Sequence, residues 1–214
     1  LKQIHEKGLL YKGYKVVPYC PRCGTALSSH EVAQGYDDVE ETSAIARFIV
    51  KNRPNTFILA WTTTPWTLPS NIALCVNANA EYGEYALDGE TFIMAAELVD
   101  KVLPVDAELV RKMKGSELVG LEYEQLFRAG AVPEGQQNRV VADDYVTMED
   151  GTGIVHLAPY GEDDMRILKL ESLSFRIVVD AQGRFTDVTP WPGMFVKDAD
   201  EVILNDLETR KQLQ

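Results

Sequence analysis

The sequence predicts a mainly β fold, a β-barrel or curled mixed sheet that carries several peripheral α-helices. Short runs rich in β-branched and aromatic residues recur between turn residues, as is typical of strands. Asp88-Gly89 separates two arms of alternating polarity, as in a β-hairpin. Helical spacing of apolar residues is confined to a few segments, the clearest being the C-terminal tail.

In the first half of the chain, turn and breaker residues set the limits of the elements. Gly8 is a typical helix stop, so residues 1–8 are expected to end a helix. The strands expected next are segments rich in β-branched and aromatic residues: 43–50 (with a helix as the alternative), 56–63 and 72–76. The second is expected to end before Pro65, because proline has no N–H to donate to a sheet.

In the second half, one clear hairpin is followed by weaker signals. Asp88-Gly89 suits a type I′ turn and connects the arms of a hairpin over 81–95. The helical segments expected after it are 95–103, a helix opening at Gly161 and the amphipathic tail 197–214. The other segments expected are a loop over 115–127, two or three short strands within 139–159 and a second hairpin turning near Gln182-Gly183.

The composition argues against several classes of protein. Acidic residues number 33 against 21 basic ones, and this net charge of −12 argues against broad binding to a phosphate backbone. Contact with one end of a nucleic acid held by another domain is compatible with it. No apolar run is long enough for a transmembrane helix and no signal peptide is evident, so we expect no membrane contact. Leu1 begins in what reads as the middle of a helix, so we expect an excised piece of a larger protein.

Three cysteines, Cys20, Cys23 and Cys75, are too few for a disulfide framework, which favours a reducing, cytoplasmic setting. CPRCG contains one Cys-x-x-Cys pair, whereas a structural zinc ion needs four ligands. Cys75 falls in an expected strand and His30 stands alone, so a complete zinc site within the chain is disfavoured. The alternatives are a tight turn without metal or half of a site that another segment completes. A thioredoxin-like dithiol would need a βαβ context that is missing.

Hydroxyl groups are concentrated in WTTTPWTLPSN (61–71), where three threonines run into a proline. Threonine is common in strands, so the structural interpretation is a strand end packed against a Pro-Trp corner. Nucleophilic catalysis is disfavoured, because a threonine nucleophile needs an adjacent base, commonly its own terminal amine, and these residues are internal. The functional interpretation that remains is a cradle of hydroxyl and backbone N–H groups that orients water or an oxyanion.

His156 lies in GTGIVHLAP, where Gly151 and Gly153 permit a close approach of the backbone and Pro159 ends a strand. It is either a satisfied polar residue at a strand end or part of a site. The acidic run GEDD (161–164) follows it. These carboxylates either stabilise the first turn of a helix, or one of them faces a cavity and pairs with a cationic ligand group.

Together, WTTTPWTLPSN and, about 80 residues later, GTGIVHLAPYGEDD resemble the editing domain that is inserted into class I isoleucyl-tRNA synthetases. GYKVVPYCPRCGTALSSHEV resembles the sequence on the N-terminal side of that insertion. The resemblance covers essentially the whole chain. The related valyl and leucyl enzymes typically carry arginine at the position of Thr64 and an acidic residue at that of Trp66, so these two residues favour the isoleucyl member.

The resemblance implies a β-barrel-like editing domain that hydrolyses valine wrongly attached to isoleucine tRNA. Residues 1–30 would be a lead-in segment with half a zinc knuckle, and residues 31–214 a single globular editing domain. Isoleucine exceeds valine by one methylene, which gives only limited discrimination at the site where the amino acid is attached. A second site that removes valine is therefore needed. The alternative is a non-catalytic module that binds an amino acid or an adenylate.

The resemblance also implies roles for individual residues. Thr62, Thr63 and Thr64 would position water and the terminal ribose, and Asp164 would hold the α-ammonium group of the substrate. Asp163 is the alternative anchor, because APYGEDD is one residue shorter than the usual pattern. His156 would limit the side-chain pocket. The residues that would continue the wall formed by the threonines are Trp66, Thr67, Leu68 and Asn71.

No metal or cofactor is expected for editing itself. Cys20 and Cys23 match half of a zinc site whose other half lies beyond the insertion in relatives, so zinc is an expectation for the full-length parent. The expected partners are the 3′ end of isoleucine tRNA carrying valine and the remainder of the synthetase.

Overall fold

The structure, a computed structural model, describes residues 1–11, 13–127 and 138–214. The strands are β1 (Tyr19–Cys20), β2 (Thr25–Ala26), β3 (Ala44–Ile49), β4 (Thr56–Thr62), β5 (Ala73–Val76), β6 (Glu81–Leu87), β7 (Glu90–Ala95), β8 (Glu108–Lys114), β9 (Val140–Ala142) and β10 (Val155–Leu157). The helices are α1 (Lys2–Glu6), α2 (Ser29–Ala33), α3 (Val99–Val102), α4 (Gly115–Leu118), α5 (Glu162–Leu170) and α6 (Val196–Thr209), with 3₁₀ turns at Pro65–Ser70 and Ala96–Leu98. None of the helices in these ranges is long and apolar enough to cross a membrane.

Strand β4 is the branching point of an eight-stranded mixed sheet. The strand order is β8-β6-β7-β4-β10-β5-β9, and β3 pairs with β4 outside this path. Strand β7 runs parallel to the start of β4 (Thr56–Ile58), and β10 runs parallel to its end at Trp61. Strand β3 pairs with β4 over its whole length in the antiparallel sense. The sheet is therefore curled into a half-barrel, and the prediction of a mainly β, barrel-like fold with peripheral helices is confirmed.

Turn residues set several boundaries as the sequence predicts. Asp88 and Gly89 have φ angles of 51° and 80°, as the type I′ turn between β6 and β7 requires. Gly8 follows the first helix with a φ of 69°. The three strands expected in the first half are β3, β4 and β5, and the helices expected near Gly161 and in the tail are α5 and α6. Residues 43–50 thus form a strand rather than the alternative helix.

Four segments differ from the prediction. Strand β8 has no sequence signal, because it lies at an edge of the sheet and most of its residues are exposed. The second hairpin is reduced to one bridge, Val179 to Phe185, because the Phe185 N–H and carbonyl bond to Met194 and Gly193 instead of the first arm. The other differences are that the expected helix 95–103 divides into a 3₁₀ turn and α3, and that the expected loop 115–127 opens with α4.

Two buried apolar clusters hold the longer helices in place. The larger one joins the sheet to α6 through residues such as Phe48, Ile93 and Ile203. The smaller one packs α5 on β5 and β10 through residues such as Leu157 and Ile167. Helix α6 also packs against the 3₁₀ turn that follows β4.

The N-terminal segment packs beside α5. The Tyr14 ring meets the Phe175 ring edge-on, with centroids 5.4 Å apart, and the Tyr14 carbonyl accepts a hydrogen bond from Lys169 Nζ at 3.0 Å. The domain boundary expected between residues 30 and 31 stays a prediction, and helix α2 crosses that position.

Candidate active site

An open cavity of about 490 Å³ lies where the end of β4, the following 3₁₀ turn, β10 and the start of α5 meet. All but two of the predicted site residues line it: Thr62, Thr63, Thr64, Trp66, Thr67, His156, Asp163 and Asp164. The parallel pairing of Val155 with Trp61 explains why two motifs far apart in the sequence share one cavity. The sequence-predicted site is therefore largely assembled in the fold.

Glycines allow the two motifs to approach closely. Gly151 and Gly153 both have a φ of 69°, and a Cβ on Gly151 would lie 2.9 Å from the Trp61 side chain. A Cβ on Gly161 would lie 2.5 Å from Asp164 Oδ2, so a larger residue there would displace this carboxylate. The sequence expectation of a close backbone approach is confirmed at Gly151 and Gly153.

The threonine hydroxyls form a short network at the cavity wall. The Thr67 hydroxyl donates to the Thr64 carbonyl at 2.7 Å, and the Thr64 N–H donates to Thr62 Oγ1 at 3.0 Å. Thr64 Oγ1 lies 3.5 Å from Thr62 Oγ1 and 3.4 Å from Thr67 Oγ1, which are long separations for hydrogen bonds between hydroxyls. The Thr64 hydroxyl is therefore the least committed of the three.

His156 is buried and neutral. Its Nε2 lies 2.9 Å from Thr67 Oγ1, whose single proton already goes to the Thr64 carbonyl. Nε2 must therefore carry the proton and donate it to Thr67, which fixes the tautomer. Burial lowers the pKa of His156 to about 4, so the ring is uncharged at neutral pH.

The two candidate carboxylates, Asp163 and Asp164, have different surroundings in the structure. The Asp163 side chain is 61% exposed and pairs with Arg166 at 3.3 Å, and Arg166 also forms two 2.8 Å bonds with Asp143. Asp164 makes no ion pair with any of the described residues. Burial raises the pKa of Asp164 to about 6, since a charged carboxylate is costly away from water. Of the two, Asp164 is the carboxylate that lacks a cationic partner in the structure.

Leu68 and Asn71 do not line the cavity. Leu68 is 1% exposed and belongs to the larger apolar cluster. The Asn71 amide donates to the Ala73 carbonyl at 3.1 Å, and its Oδ1 accepts a hydrogen bond from Tyr123 at 2.7 Å. Both residues support the 3₁₀ turn from behind, so they do not continue the cavity wall as the resemblance implies.

Several residues of the site are missed by the sequence prediction. The Tyr160 ring packs on Trp66 with centroids 5.0 Å apart, and its hydroxyl lies 2.9 Å from Ser70 Oγ. Asp200 on α6 accepts the Trp66 N–H at 2.7 Å. Tyr160 stands inside the APYGEDD motif and could have been suspected, whereas Asp200 lies 134 residues from its partner and gives no local signal.

Comparison with known proteins identifies the family. The model of the tRNA synthetases class I (I, L, M and V) matches residues 1–148. The chain belongs to the class I tRNA synthetase family. It is 56% identical over 215 residues to the isoleucine–tRNA ligase of Clostridium novyi (strain NT), covering 100% of this chain and 21% of that ligase. It is 53% identical over 212 residues to the isoleucine–tRNA ligase of Clostridium tetani (strain Massachusetts / E88), covering 98% of this chain and 20% of that ligase. The chain spans about a fifth of the length of these ligases.

Solved structures show the same fold in other synthetases. GlLeuRS-CP1 superposes with a TM-score of 0.64 at 16% identity, covering 81% of this chain and 98% of that one. The P. falciparum cytosolic leucyl-tRNA synthetase editing domain (space group P21) gives a TM-score of 0.57 at 12% identity, covering 80% of this chain and 98% of that one. This synthetase segment therefore has the fold of an editing domain, which confirms the resemblance drawn from its motifs.

The cysteine pair of this synthetase segment lies apart from the cavity. Cys20 and Cys23 lie at the turn between β1 and β2, and the Cys23 N–H donates to Cys20 Sγ at 3.3 Å. That bond lowers the pKa of the Cys20 thiol, whereas the hydrogen bond and charge of Cys20 raise the pKa of the Cys23 thiol. No group of three or more His, Cys, Asp or Glu side chains in the described ranges could hold a metal ion. The two thiols fit half of a tetrahedral zinc site, and the expectation of zinc in the parent stays a prediction.

Proposed function

We propose that this domain hydrolyses the ester that joins valine to the terminal adenosine of isoleucine tRNA. The observation that carries the proposal is Asp164: a largely buried carboxylate with no cationic partner among the described residues, in the same cavity as a hydroxyl-rich wall. A cytoplasmic location and the synthetase body as partner go with this proposal, as does contact with only the 3′ end of the tRNA.

Asp164 would anchor the α-ammonium group of the bound valine. A carboxylate that has lost much of its hydration forms a strong charge-assisted hydrogen bond with a cation. The cation in turn compensates the desolvation that raises the pKa of Asp164. A carboxylate that lacks a cationic partner among the described residues therefore favours a substrate with a positively charged amino group.

The threonines would position water and the reacting ester. His156 does not serve as a base for them: its Nε2 donates to Thr67, and its other nitrogen, Nδ1, is buried without a hydrogen-bond partner among the described residues. Burial also lowers the pKa of the ring to about 4. The oxygen of a water molecule would bond to the ester carbonyl carbon, and the bond between that carbon and the ribose oxygen would break. One water proton ends on the ribose oxygen and the other passes to solvent from the new carboxyl group, which leaves free valine and a tRNA hydroxyl. The Thr64 hydroxyl, with only long contacts to Thr62 and Thr67, is available to donate to the developing oxyanion.

His156 would set the size limit of the pocket. The residue is 8% exposed and its ring is bonded to Thr67, so the ring cannot move away without losing a buried hydrogen bond. A rigid wall of this kind can reject isoleucine, which exceeds valine by one methylene. Thr67 therefore contributes to selectivity by holding the ring that meets the side chain.

Incubation of the domain with valyl-tRNA and isoleucyl-tRNA, both made on isoleucine tRNA, tests the proposal. We expect release of valine above the spontaneous rate and no acceleration of isoleucine release. Binding of valyl-tRNA without release of valine would favour the alternative, a module that binds an amino acid or an adenylate. Absence of both binding and release would contradict both functions.

A further inference from the structure

The 3₁₀ turn that carries the pocket wall begins in an unusual way. Pro65, its first residue, has no N–H, and the Thr67 N–H donates to the Thr64 carbonyl at 3.0 Å. The Trp66 N–H is therefore the group at the start of this turn that needs an acceptor from elsewhere. Asp200 Oδ1 accepts it at 2.7 Å from helix α6.

Thr64 occupies the position from which a side chain normally caps such a turn. Threonine is a favoured capping residue, because its hydroxyl can accept the N–H two or three residues later. In the described structure, however, Thr64 makes no capping hydrogen bond to the turn. Its hydroxyl is instead placed in the cavity between the hydroxyls of Thr62 and Thr67.

We propose that Asp200 is a positioning residue of the hydrolytic site, which caps the turn in place of Thr64 and so keeps the Thr64 hydroxyl available to the substrate. This inference rests on the proposed hydrolysis. A carboxylate suits the role because an ionised acceptor binds an N–H more strongly than a hydroxyl does. Helix α6 is a firm support for it, since Ala199 and Ile203 on either side of Asp200 are fully buried in the core.

Loss of the carboxylate would change the use of Thr64. In Asp200→Ala, the Trp66 N–H is left without its acceptor, and the nearby Thr64 hydroxyl is the chemically suited replacement. Rotation of that hydroxyl towards the turn would remove it from the cavity while the fold persists. The expected defect is therefore in the chemical step rather than in the binding of the tRNA.

The test is a double-mutant cycle on valine release. Asp200→Ala is expected to lower kcat roughly 10- to 100-fold with a smaller change in KM, because the geometry of the reacting groups is disturbed. Asp200→Asn retains an acceptor and should recover most of the activity. In a Thr64→Val background, Asp200→Ala should add little further loss. Glu201→Ala, an exposed neighbour on α6, is the matched control and should behave as wild type.

Amide hydrogen exchange of Trp66 gives a second readout that does not depend on activity. Exchange at this N–H should accelerate in Asp200→Ala, because the Thr64 hydroxyl is a weaker acceptor than a carboxylate, and accelerate further in the Thr64→Val, Asp200→Ala double variant, which lacks both acceptors. It should stay slow in Asp200→Asn and Glu201→Ala. Unchanged exchange or full activity in Asp200→Ala, or a loss that adds in full to that of Thr64→Val, would overturn the positioning role. A wild-type domain that releases no valine would instead overturn the proposed function, while the exchange data would still decide whether Asp200 caps the turn.

Discussion

His156 donates its Nε2 proton to Thr67 Oγ1 over 2.9 Å, and this bond fixes one wall of the cavity. The Thr67 hydroxyl in turn donates a hydrogen bond to the Thr64 carbonyl at 2.7 Å. An imidazole, a hydroxyl and a backbone carbonyl are therefore linked by two successive hydrogen bonds. Both side chains are at least nine-tenths buried, which makes each link costly to break. The pocket thus contains a neutral histidine that is held in place by a hydrogen bond and has no ionic partner among the described residues.

Thr67→Val should destabilise the domain. Valine has nearly the same shape but leaves the buried His156 Nε2–H without its acceptor, which costs about 1–3 kcal/mol. The Thr64 carbonyl loses the hydroxyl bond but keeps the bond from the Thr67 N–H. Thr67→Ser keeps the hydroxyl and serves as the control. Urea unfolding measures both, and equal midpoints for the two variants would show that the chain of bonds contributes nothing to stability.

His156→Ala should relax the specificity of hydrolysis. The change removes an aromatic ring from the cavity wall, which creates more room than the one methylene that distinguishes isoleucine from valine. We expect the variant to release isoleucine from isoleucyl-tRNA while still releasing valine from valyl-tRNA. Continued protection of the isoleucyl ester, with valine release intact, would count against His156 as the size limit.

The pH dependence of valine release should report Asp164. The anchor must be ionised to hold an ammonium group, and burial raises the pKa of Asp164 to about 6. The value of kcat/KM should therefore fall as pH drops through about 6, whereas kcat should fall at lower pH because the bound ammonium lowers the pKa. Identical profiles for kcat and kcat/KM would argue against an ammonium bound to this carboxylate.

Asp164→Asn should stabilise the free domain at neutral pH. The carboxyl has a pKa of about 6 in the folded state and about 4 when unfolded, so the folded state holds the extra proton between these values. The free energy of unfolding therefore decreases as pH rises from about 4 to about 6. Above pH 6 the folded state carries the full cost of a buried, charged carboxylate. The variant should gain on the order of 2 kcal/mol at pH 7.5 and nothing near pH 4, as measured by urea unfolding at both values. A variant less stable than wild type at pH 7.5 would contradict the assigned burial.

Local sequence signals predicted those parts of the fold that local chemistry determines. Asp88-Gly89 can supply two positive φ angles, and Pro65 ends β4 because it cannot extend a sheet. Strand β8 escaped prediction because its pairing partner, rather than an apolar face of its own, makes it a strand. The other edge strand, β9, was predictable because two of its three residues are buried and apolar, whereas β8 has one buried residue.

The site followed the same division. The threonine run and the GEDD segment indicated hydroxyls and carboxylates, and the fold brings them to one cavity. The choice between Asp163 and Asp164 could not be made from sequence, because both stand in the first turn of one helix. Only the packed structure shows that Arg166 pairs with Asp163 and that Asp164 makes no ion pair with any described residue. The contact of Asp200 with Trp66 likewise depends on how α6 docks.

The central claim is that Asp164, and not Asp163, anchors the substrate, and a matched pair of variants tests it most directly. The measurement is the rate of valine release from valyl-tRNA by Asp164→Asn and by Asp163→Asn, at valyl-tRNA concentrations below the KM of either variant. Asp163 is exposed and already paired with Arg166, so its variant should retain activity close to wild type. Asp164→Asn should lose about 10²-fold or more, since a buried charge-assisted contact is removed. Equal rates for the two variants, or loss of activity in Asp163→Asn alone, would contradict the account.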